Sequence, residues 1–135
     1  MKLRLLCSRC EIMHEFSIAC SIVDNVLAFC REQSIQQVFA VKVAIGELTC
    51  VEPEQLSFCY RSITESTEIE NSELEIERVQ ASVACAHCGY RGRPKYWDQA
   101  LSCTAVPTRQ CPKCSRRVDV REGEECAIRT IRIAK

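Results

Sequence analysis

Two pairs of cysteines constrain the fold of this chain more than any other feature. They read Cys85-Ala-His-Cys88 and Cys111-Pro-Lys-Cys114, and each pair can place two thiolates on one tight turn. Two such turns that face each other form a tetrahedral sulfur cage, which is the ligand set of a closed structural zinc site. Redox-active or disulfide-bonded pairs are the alternative, but nothing around either pair resembles the strand-to-helix setting of a thiol oxidoreductase. We therefore predict a structural Zn(II) held by Cys85, Cys88, Cys111 and Cys114.

The cysteine content also bears on the cellular compartment. The chain has 135 residues and 12 cysteines, a content that would indicate disulfides in a secreted protein. However, residues 1–7 hold too short an apolar run for a signal peptide, and no stretch is long enough to span a membrane. We expect a cytoplasmic protein with zinc thiolates and reduced thiols. Cys20, Cys30, Cys50 and Cys59 lie among apolar residues and are predicted to be small buried hydrophobic side chains.

The net charge of zero conceals an asymmetry between the two halves of the chain. Residues 1–84 carry 7 Lys/Arg against 13 Asp/Glu, whereas residues 85–135 carry 11 against 5. A basic zinc module raises the alternative of a zinc-ribbon nucleic-acid-binding or regulatory protein. Against this alternative, the basic residues are scattered, and the acidic half would oppose a phosphate backbone. We therefore expect two lobes or a protein-docking face, with no nucleic-acid partner.

The pattern of apolar residues predicts a mixture of helices and strands. Apolar residues recur at helical spacing from Ser17 to about Gln33, which predicts an amphipathic helix. Alternating residues predict a strand from Phe39 to Gly46, and Pro53 suits the first turn of a second helix. Further strands are predicted near 74–79 and 127–133. The simplest architecture returns the last strand to the first lobe and leaves the zinc lobe as an insertion between two strands.

These elements predict the fold class and the domain organisation. The class is α+β, with a small sheet and two helices in one lobe and an inserted zinc-ribbon-like lobe. The first lobe is predicted to comprise residues 13–82 with 122–135, and the zinc lobe residues 83–121. Residues 1–12 are predicted to be an N-terminal extension. No open-site zinc ligand set appears, and no serine or cysteine has an evident histidine partner, so we predict no catalytic residues and no enzymatic activity.

Three motifs, taken in order, resemble a known family. They are MHEFSIA at residues 13–19, IGELTCVEPE at residues 45–54, and the two C-x-x-C pairs. The chain is similar from Met13 nearly to its C-terminus to the hydrogenase nickel-incorporation accessory proteins, the HypA/HybF family. This resemblance implies a metallochaperone that binds Ni(II) transiently in the first lobe and passes it towards the large subunit of [NiFe] hydrogenase. It also implies a nickel-binding GTPase as a partner.

The Met-His-Glu start offers the donor atoms that nickel prefers. A free amine, the amide nitrogen of the second residue and its imidazole form fused chelate rings, and the next amide nitrogen completes a planar set. Such tetragonal nitrogen coordination suits Ni(II) and also Cu(II). We therefore predict nickel ligands at Met13, His14 and Glu15, with the His14 imidazole as the side-chain ligand. His87 is predicted to lie near the zinc or on the surface without binding it, because four thiolates already complete the tetrahedron.

The chain departs from the family pattern at two places. Met13 follows twelve residues, so a chain that starts at Met1 has no amine at Met13. Translation could begin at Met13, the extension could be removed, or Cys7 and Cys10 could bring thiolates to an altered site; we favour a start at Met13. The spacer from Gly89 to Gln110 is longer than in the family and contains Cys103, which is predicted to be a loop cysteine.

Overall fold

The computed structural model describes residues 3–4, 14–97 and 106–134, and the side chains of 15–97 and 106–134. Two helices and several short sheets confirm the predicted α+β class. The helices and strands are β1 (Leu3–Arg4), α1 (His14–Glu32), β2 (Val38–Gly46), α2 (Pro53–Thr64), β3 (Glu73–Val79), β4 (Ser82–Ala84), β5 (Arg91–Gly92), β6 (Tyr96–Trp97), β7 (Val106–Pro107), β8 (Asp119–Glu122) and β9 (Cys126–Ile133). A 3₁₀ turn, Glu47–Thr49, follows β2.

The described residues divide into two compact units. One is drawn from Met1–Ile45, Val51–Glu77 and Cys126–Lys135, and we call it the α/β unit. The other is drawn from Gly46–Cys50 and Arg78–Glu125, and we call it the cysteine unit because it contains both C-x-x-C pairs. The lobe bounds proposed from the sequence stay a prediction.

A four-stranded sheet, in the order β1-β9-β2-β3, organises the α/β unit. The last strand β9 runs antiparallel to β2, with Val41 opposite Ile131 and Val43 opposite Ile128. This pairing confirms the prediction that the closing strand returns to the first lobe. Strand β3 lies at one end of the sheet order, so within the described chain it has a strand neighbour on one side only.

Both helices contribute to the hydrophobic core of the α/β unit. Ile18, Ile22 and Val26 of α1 are buried at helical spacing, as predicted, and Leu56 and Tyr60 of α2 are fully buried with them. Neither described helix combines the length and the apolar composition that a bilayer crossing requires.

Helix α1 begins at His14, three residues before the predicted start. The apolar stripe alone could not locate this end, because the first turn carries Glu15 and the 45%-exposed Phe16 rather than buried residues. A carboxylate in the first turn is favourable at the positive end of the helix dipole. The helix ends with Ser34 at φ 54° and the Ile35 N–H donating to Cys30 O at 2.8 Å, a left-handed C-terminal cap.

The prediction for the four isolated cysteines holds only in part. Cys30 is buried at 4% exposure, but Cys20 and Cys59 are only half-buried. The prediction is wrong for Cys50, which is exposed. Cys50 caps the 3₁₀ turn in the left-handed conformation at φ 58°, and a surface turn outweighs the apolar character of its neighbours in sequence.

The cysteine unit is built on small sheets. Strand β4 lies between β5 and β8, and β6 pairs with β7. Its buried cluster contains two valines, Val83 and Val118, and two cysteines, Cys85 and Cys111. Gly46 is required here, because a Cβ at this position would lie 2.1 Å from the carbonyl oxygen of Gly123.

Candidate metal centres

The first C-x-x-C pair lies on a tight turn that follows β4. The Cys85 N–H donates to Tyr90 O at 2.8 Å, and the Gly89 N–H donates back to Cys85 O at 3.0 Å. Gly89 adopts a φ of +77°, a conformation that glycine reaches without strain. The turn therefore directs Cys85 and Cys88 towards one point, and the sequence supplies glycine where the backbone needs it.

The second pair repeats this geometry. The Cys111 N–H donates to Arg116 O at 2.8 Å, and the Ser115 N–H donates to Cys111 O at 2.9 Å. Ser115 occupies the place of Gly89 and has a φ of 61°. The Lys113 N–H also points at Cys111 Sγ, 3.4 Å away. The two turns thus have the same hydrogen-bond pattern, although their intervening residues differ.

The two turns bring four sulfur atoms together. Cys85 Sγ lies 3.6 Å from Cys114 Sγ, and Cys88 Sγ lies 3.5 Å from Cys111 Sγ. All four sulfurs lie within 4.8 Å of one another. A tetrahedral zinc site with Zn–S distances near 2.3 Å requires S···S distances of about 3.8 Å. The four-cysteine group therefore fits a tetrahedral thiolate site for a metal such as Zn(II).

The electrostatics of the cluster favour thiolate formation at two positions. A backbone hydrogen bond from Cys88 lowers the pKa of Cys85, and the pKa of Cys111 is lowered as well. Burial raises the pKa of Cys111, but hydrogen bonds from the Cys114 and Lys113 amides and contacts with neighbouring sulfurs lower it to about 6. Cys85 is also buried, whereas Cys88 is exposed. Because protons and a metal compete for the same sulfurs, metal affinity at this cluster falls as the pH falls.

His87 lies on the first turn and is exposed. Its Nδ1 lies 2.8 Å from a guanidinium nitrogen of Arg116, which follows the second pair. The group of potential ligands found among the described residues contains the four cysteines and not His87. That His87 is no zinc ligand stays a prediction, and the contact with Arg116 offers the imidazole a different partner.

The predicted nickel ligands lie at the start of α1. Met13 and the side chain of His14 are outside the described residues, as are Cys7, Cys10 and Cys103. The backbone of His14 and Glu15 forms the first turn of α1. The first four N–H groups of a helix have no acceptor within that helix. The amide nitrogens of His14 and Glu15 therefore carry no intrahelical hydrogen bond.

Glu15 has a structural contact that the sequence did not predict. Its Oε1 accepts a hydrogen bond from the Glu52 N–H at 3.1 Å. Glu52 occupies the N-cap position of α2 and makes no capping hydrogen bond with its own side chain. The Glu15 carboxylate thus supports the start of α2 from the first turn of α1. The Glu15 carboxylate therefore already has a protein hydrogen-bond partner, and its role as a nickel ligand stays a prediction.

Glu47 is a second residue whose role the sequence did not reveal. Its Oε1 accepts hydrogen bonds from the Ala81 N–H and the Tyr96 hydroxyl, each at 2.9 Å. Arg93 forms an ion pair with the same carboxylate at 3.2 Å. Glu47 belongs to the motif at residues 45–54. A carboxylate directly after an apolar strand was the one sequence signal that could have indicated a structural role for it. It fixes the 3₁₀ turn within the cysteine unit.

A basic and aromatic cavity of about 650 Å³ also lies in the cysteine unit. Lys95, Arg109 and Arg117 supply its positive charge, and Trp97, which is 57% exposed, supplies an aromatic wall. Arg109 is paired with Glu124, which neutralises part of this charge. A positively charged cavity with an aromatic wall is the kind of feature that the nucleic-acid alternative would require.

Comparison with protein families gives a match over most of the chain. A family model described as "Hydrogenase/urease nickel incorporation, metallochaperone, hypA" matches residues 13–133. The match therefore begins at Met13, the first residue of the MHEFSIA motif.

Individual relatives and solved structures agree with the family match. Hydrogenase maturation factor HypA of Methanopyrus kandleri is 36% identical and aligns over 90% of this chain and 93% of its own length. Hydrogenase maturation factor HypA of Chlorobium limicola is 41% identical and aligns over 90% of this chain and 97% of its own length. The solution structure of the Ni metallochaperone HypA from Helicobacter pylori shares the fold, with a TM-score of 0.59 at 18% identity over 88% of this chain and 96% of that chain.

Proposed function

Because the chain belongs to the HypA family of nickel-incorporation metallochaperones, we propose that it delivers Ni(II) during the maturation of [NiFe] hydrogenase. The observation that carries the proposal is the family match from residue 13 onwards, which begins on the Met-His-Glu run. The proposal is also supported by two relatives, 36% and 41% identical to this chain, that are named hydrogenase maturation factor HypA. In this proposal nickel is cargo, and the protein acts by binding and transfer rather than by catalysis.

Nickel is proposed to bind at the start of α1. The donors would be the Met13 amine, the amide nitrogens of His14 and Glu15, and the His14 imidazole. The first turn of α1 supports this ligand set, because the backbone N–H groups of His14 and Glu15 have no hydrogen-bond acceptor within the helix. A planar set of nitrogen donors matches the tetragonal preference of Ni(II). In a chain that starts at Met13, these ligands would lie at the chain terminus rather than within a core, which would allow them to exchange.

Zinc is proposed to be a resident structural ion in the cysteine unit, bound by Cys85, Cys88, Cys111 and Cys114. Supporting this role, the four sulfurs approach tetrahedral spacing and leave no coordination position for a substrate. When bound, zinc would crosslink the two turns and stabilise the small core around Val83. The nickel and zinc functions would therefore rest on different residues and can be tested separately.

The proposed partners are a nickel-binding GTPase and the large subunit of [NiFe] hydrogenase, in the cytoplasm. The GTPase is proposed to dock on the α/β unit near His14, because transfer requires donor and acceptor ligands to lie close together. The acidic first half of the chain offers charge complementarity, which would act mainly on the association rate. A pull-down with charge-reversed glutamates of the α/β unit tests this; binding carried solely by an isolated zinc lobe would contradict it.

The nickel site is tested by calorimetry on three proteins. A chain that starts at Met13 should bind about one Ni(II) with micromolar-range affinity, on the order of −8 kcal/mol. His14→Ala in that chain should abolish binding with no change in zinc content. The 135-residue chain should bind nickel more weakly or in another geometry, because an amide nitrogen replaces the amine. Equal binding by the two chain lengths would exclude the amine as a ligand.

The pH provides a further check on the same ligands. Protons compete for the imidazole, the amine and the amide nitrogens, so nickel affinity should decrease as the pH falls. A pH-independent affinity between pH 8 and pH 6 would contradict nitrogen coordination.

The zinc-ribbon nucleic-acid-binding function is the second candidate, favoured by the cavity beside Trp97. Such binding would weaken steeply with salt, because phosphate contacts release counterions. We expect no salt-dependent affinity for DNA or RNA in a titration against short oligonucleotides. Tight binding that Trp97→Ala and Lys95→Ala both weaken would favour this candidate instead.

A further inference from the structure

A groove runs between α2 and β3 in the α/β unit. Two adjoining cavities of about 440 and 580 Å³ form it, and both are lined by Ser57, Arg61 and Leu74. One end is lined by Pro53 and the other by Glu73. The groove runs beside Glu73, Leu74 and Ile76 at the start of the edge strand β3, and none of the proposed nickel or zinc ligands lines it.

The backbone of β3 is available along this groove. β3 pairs with β2 on one side, and no strand of the described chain pairs with its other side. An edge strand of this kind presents alternating N–H and C=O groups that a further strand can use. At seven residues, Glu73–Val79, β3 is long enough to pair with an extended segment over several hydrogen bonds.

Side chains of β3 provide pockets for such a segment. Leu74 and Ile76 are half-buried, pack against the core and line the groove. Because side chains of a strand alternate between its two faces, an added strand would place every second side chain over this groove. Main-chain hydrogen bonds then supply affinity, and the alternate side chains supply specificity.

The groove is acidic. Glu54 lies in the first turn of α2, and Glu65 and Glu73 lie towards the other end. Within the described residues none of these three carboxylates forms an ion pair, and Arg61 is the one cation among the lining residues. A segment with positive side chains would therefore find unpaired carboxylates on both sides of the groove.

The remaining glutamates of β3 are already used. Glu75 pairs with Arg132 at 2.7 Å, and Glu77 lies 3.9 Å from Arg129. Both pairs link β3 to residues of β9 and leave these two carboxylates less available to a basic segment. A second copy of the chain is disfavoured as the occupant, because self-pairing would bring the glutamates of two β3 strands together, including Glu73, which has no ion pair among the described residues.

We propose that β3 and the adjoining α2 groove bind an extended segment of a partner protein, rich in Lys or Arg alternating with apolar residues, by adding it as a strand to the sheet. The basic side chains contact Glu54, Glu65 and Glu73, and the apolar ones contact Leu74 and Ile76. This surface is independent of the metal sites, so the proposal can fail while the nickel function stands.

The first experiment uses the zinc-loaded, full-length protein labelled with ¹⁵N. The probe is an eight-residue peptide of alternating Val and Lys, and the matched control peptide alternates Val and Glu. We expect the Val-Lys peptide to shift the amide signals of residues 73–77 and to slow their hydrogen exchange. The Val-Glu peptide should do neither. Absence of binding by the Val-Lys peptide, or equal binding by both, would overturn the proposal.

The second experiment separates strand addition from nonspecific charge attraction. Glu54→Lys combined with Glu73→Lys should weaken the Val-Lys peptide about tenfold, since two attractive pairs become repulsive. Glu32→Lys, an exposed change at the end of α1 outside the groove, is the matched control and should leave the affinity unchanged. Equal weakening by Glu32→Lys, or binding without slower exchange at 73–77, would show side-chain attraction only and contradict strand addition.

Discussion

The two units of this chain differ in the size and composition of their buried cores. Among the described residues, the α/β unit has a core cluster of 16 buried residues, mostly branched aliphatic side chains from both helices and the sheet. The buried cluster of the cysteine unit has four, and two of them are Cys85 and Cys111. Fully burying an aliphatic side chain contributes about 1.5–3 kcal/mol. Apolar burial is therefore much greater in the first unit, and we expect the second to rely on its sulfur cluster.

The difference in core size is expected, because a small unit can bury little apolar surface. A small hydrophobic core rarely supplies more than about 3–5 kcal/mol, and metal ligation is one of the few remedies. The strands of the cysteine unit are correspondingly short, from two residues in β5 to four in β8. The α/β unit, which supports the proposed nickel ligands, therefore has a large apolar core, whereas the cysteine unit is proposed to depend on a bound metal for its order.

The largest expected effect is the loss of one zinc thiolate. Cys111→Ser should release the metal and unfold the 83–121 lobe, since structural zinc binding supplies on the order of 10 kcal/mol that is coupled to folding. The α/β unit should remain folded. Zinc content by mass spectrometry and residue-specific hydrogen exchange would measure both. Full zinc content with unchanged exchange in Cys111→Ser would contradict the assignment.

Cys50→Ser is the matched control for that experiment. Cys50 is an exposed cysteine of the same unit and is not among the four clustered sulfurs. This variant should retain its zinc and its exchange pattern.

The reverse experiment acts on the apolar core. Ile22 is fully buried, so Ile22→Ala should lower the free energy of unfolding of the α/β unit by about 3 kcal/mol through lost burial and a cavity. Zinc content should not change. Chemical denaturation followed by hydrogen exchange would resolve the two units, and simultaneous loss of zinc would show that their stabilities are not separate. The half-buried Leu27→Ala should cost less and serves as the control.

The smallest expected effect on zinc affinity comes from substitutions at the residue that follows each C-x-x-C pair. A Cβ at Gly89 meets no atom within 4 Å, so Gly89→Ala changes only the backbone energy at φ +77° and should cost about 1 kcal/mol. Ser115 occupies the equivalent place at φ 61°, so Ser115→Gly should have the opposite sign and stabilise slightly. Competition with a zinc chelator would detect about a fivefold change in affinity for the first variant. Effects of equal sign would disprove the equivalence of the two turns.

The regular elements of the α/β unit could be predicted from the sequence. The spacing of Ile18, Ile22 and Val26 predicted the buried face of α1, and Pro53 correctly predicted the start of α2. The prediction placed the start of α1 too late, because an exposed first turn has no apolar signature. Exposed Cys50 was also predicted wrongly, because composition describes neighbours in sequence and not the conformation of a turn.

The metal centres were predictable to different degrees. The C-x-x-C spacing predicted the group that the structure brings together as four sulfurs, because two short turns restrict where their thiols can point. The roles of Glu15 and Glu47 were not predictable. Glu15 reaches Glu52 across 37 positions of sequence, and Glu47 reaches Tyr96 across 49. Such contacts depend on how distant segments pack, about which local periodicity carries no information.

The sequence by itself determined the family, the α+β class, the paired cysteines and the Met13-His14-Glu15 run, since each depends on residue type and on short spacings. Only the tertiary structure decided that a Glu15 carboxylate oxygen supports the start of α2 and that β3 is an edge strand of the described sheet, beside an acidic groove along that helix. The physical reason is that hydrogen-bond partners and exposed strand edges are fixed by long-range pairing. A carboxylate in the sequence has no preferred partner until the backbone has brought one within reach.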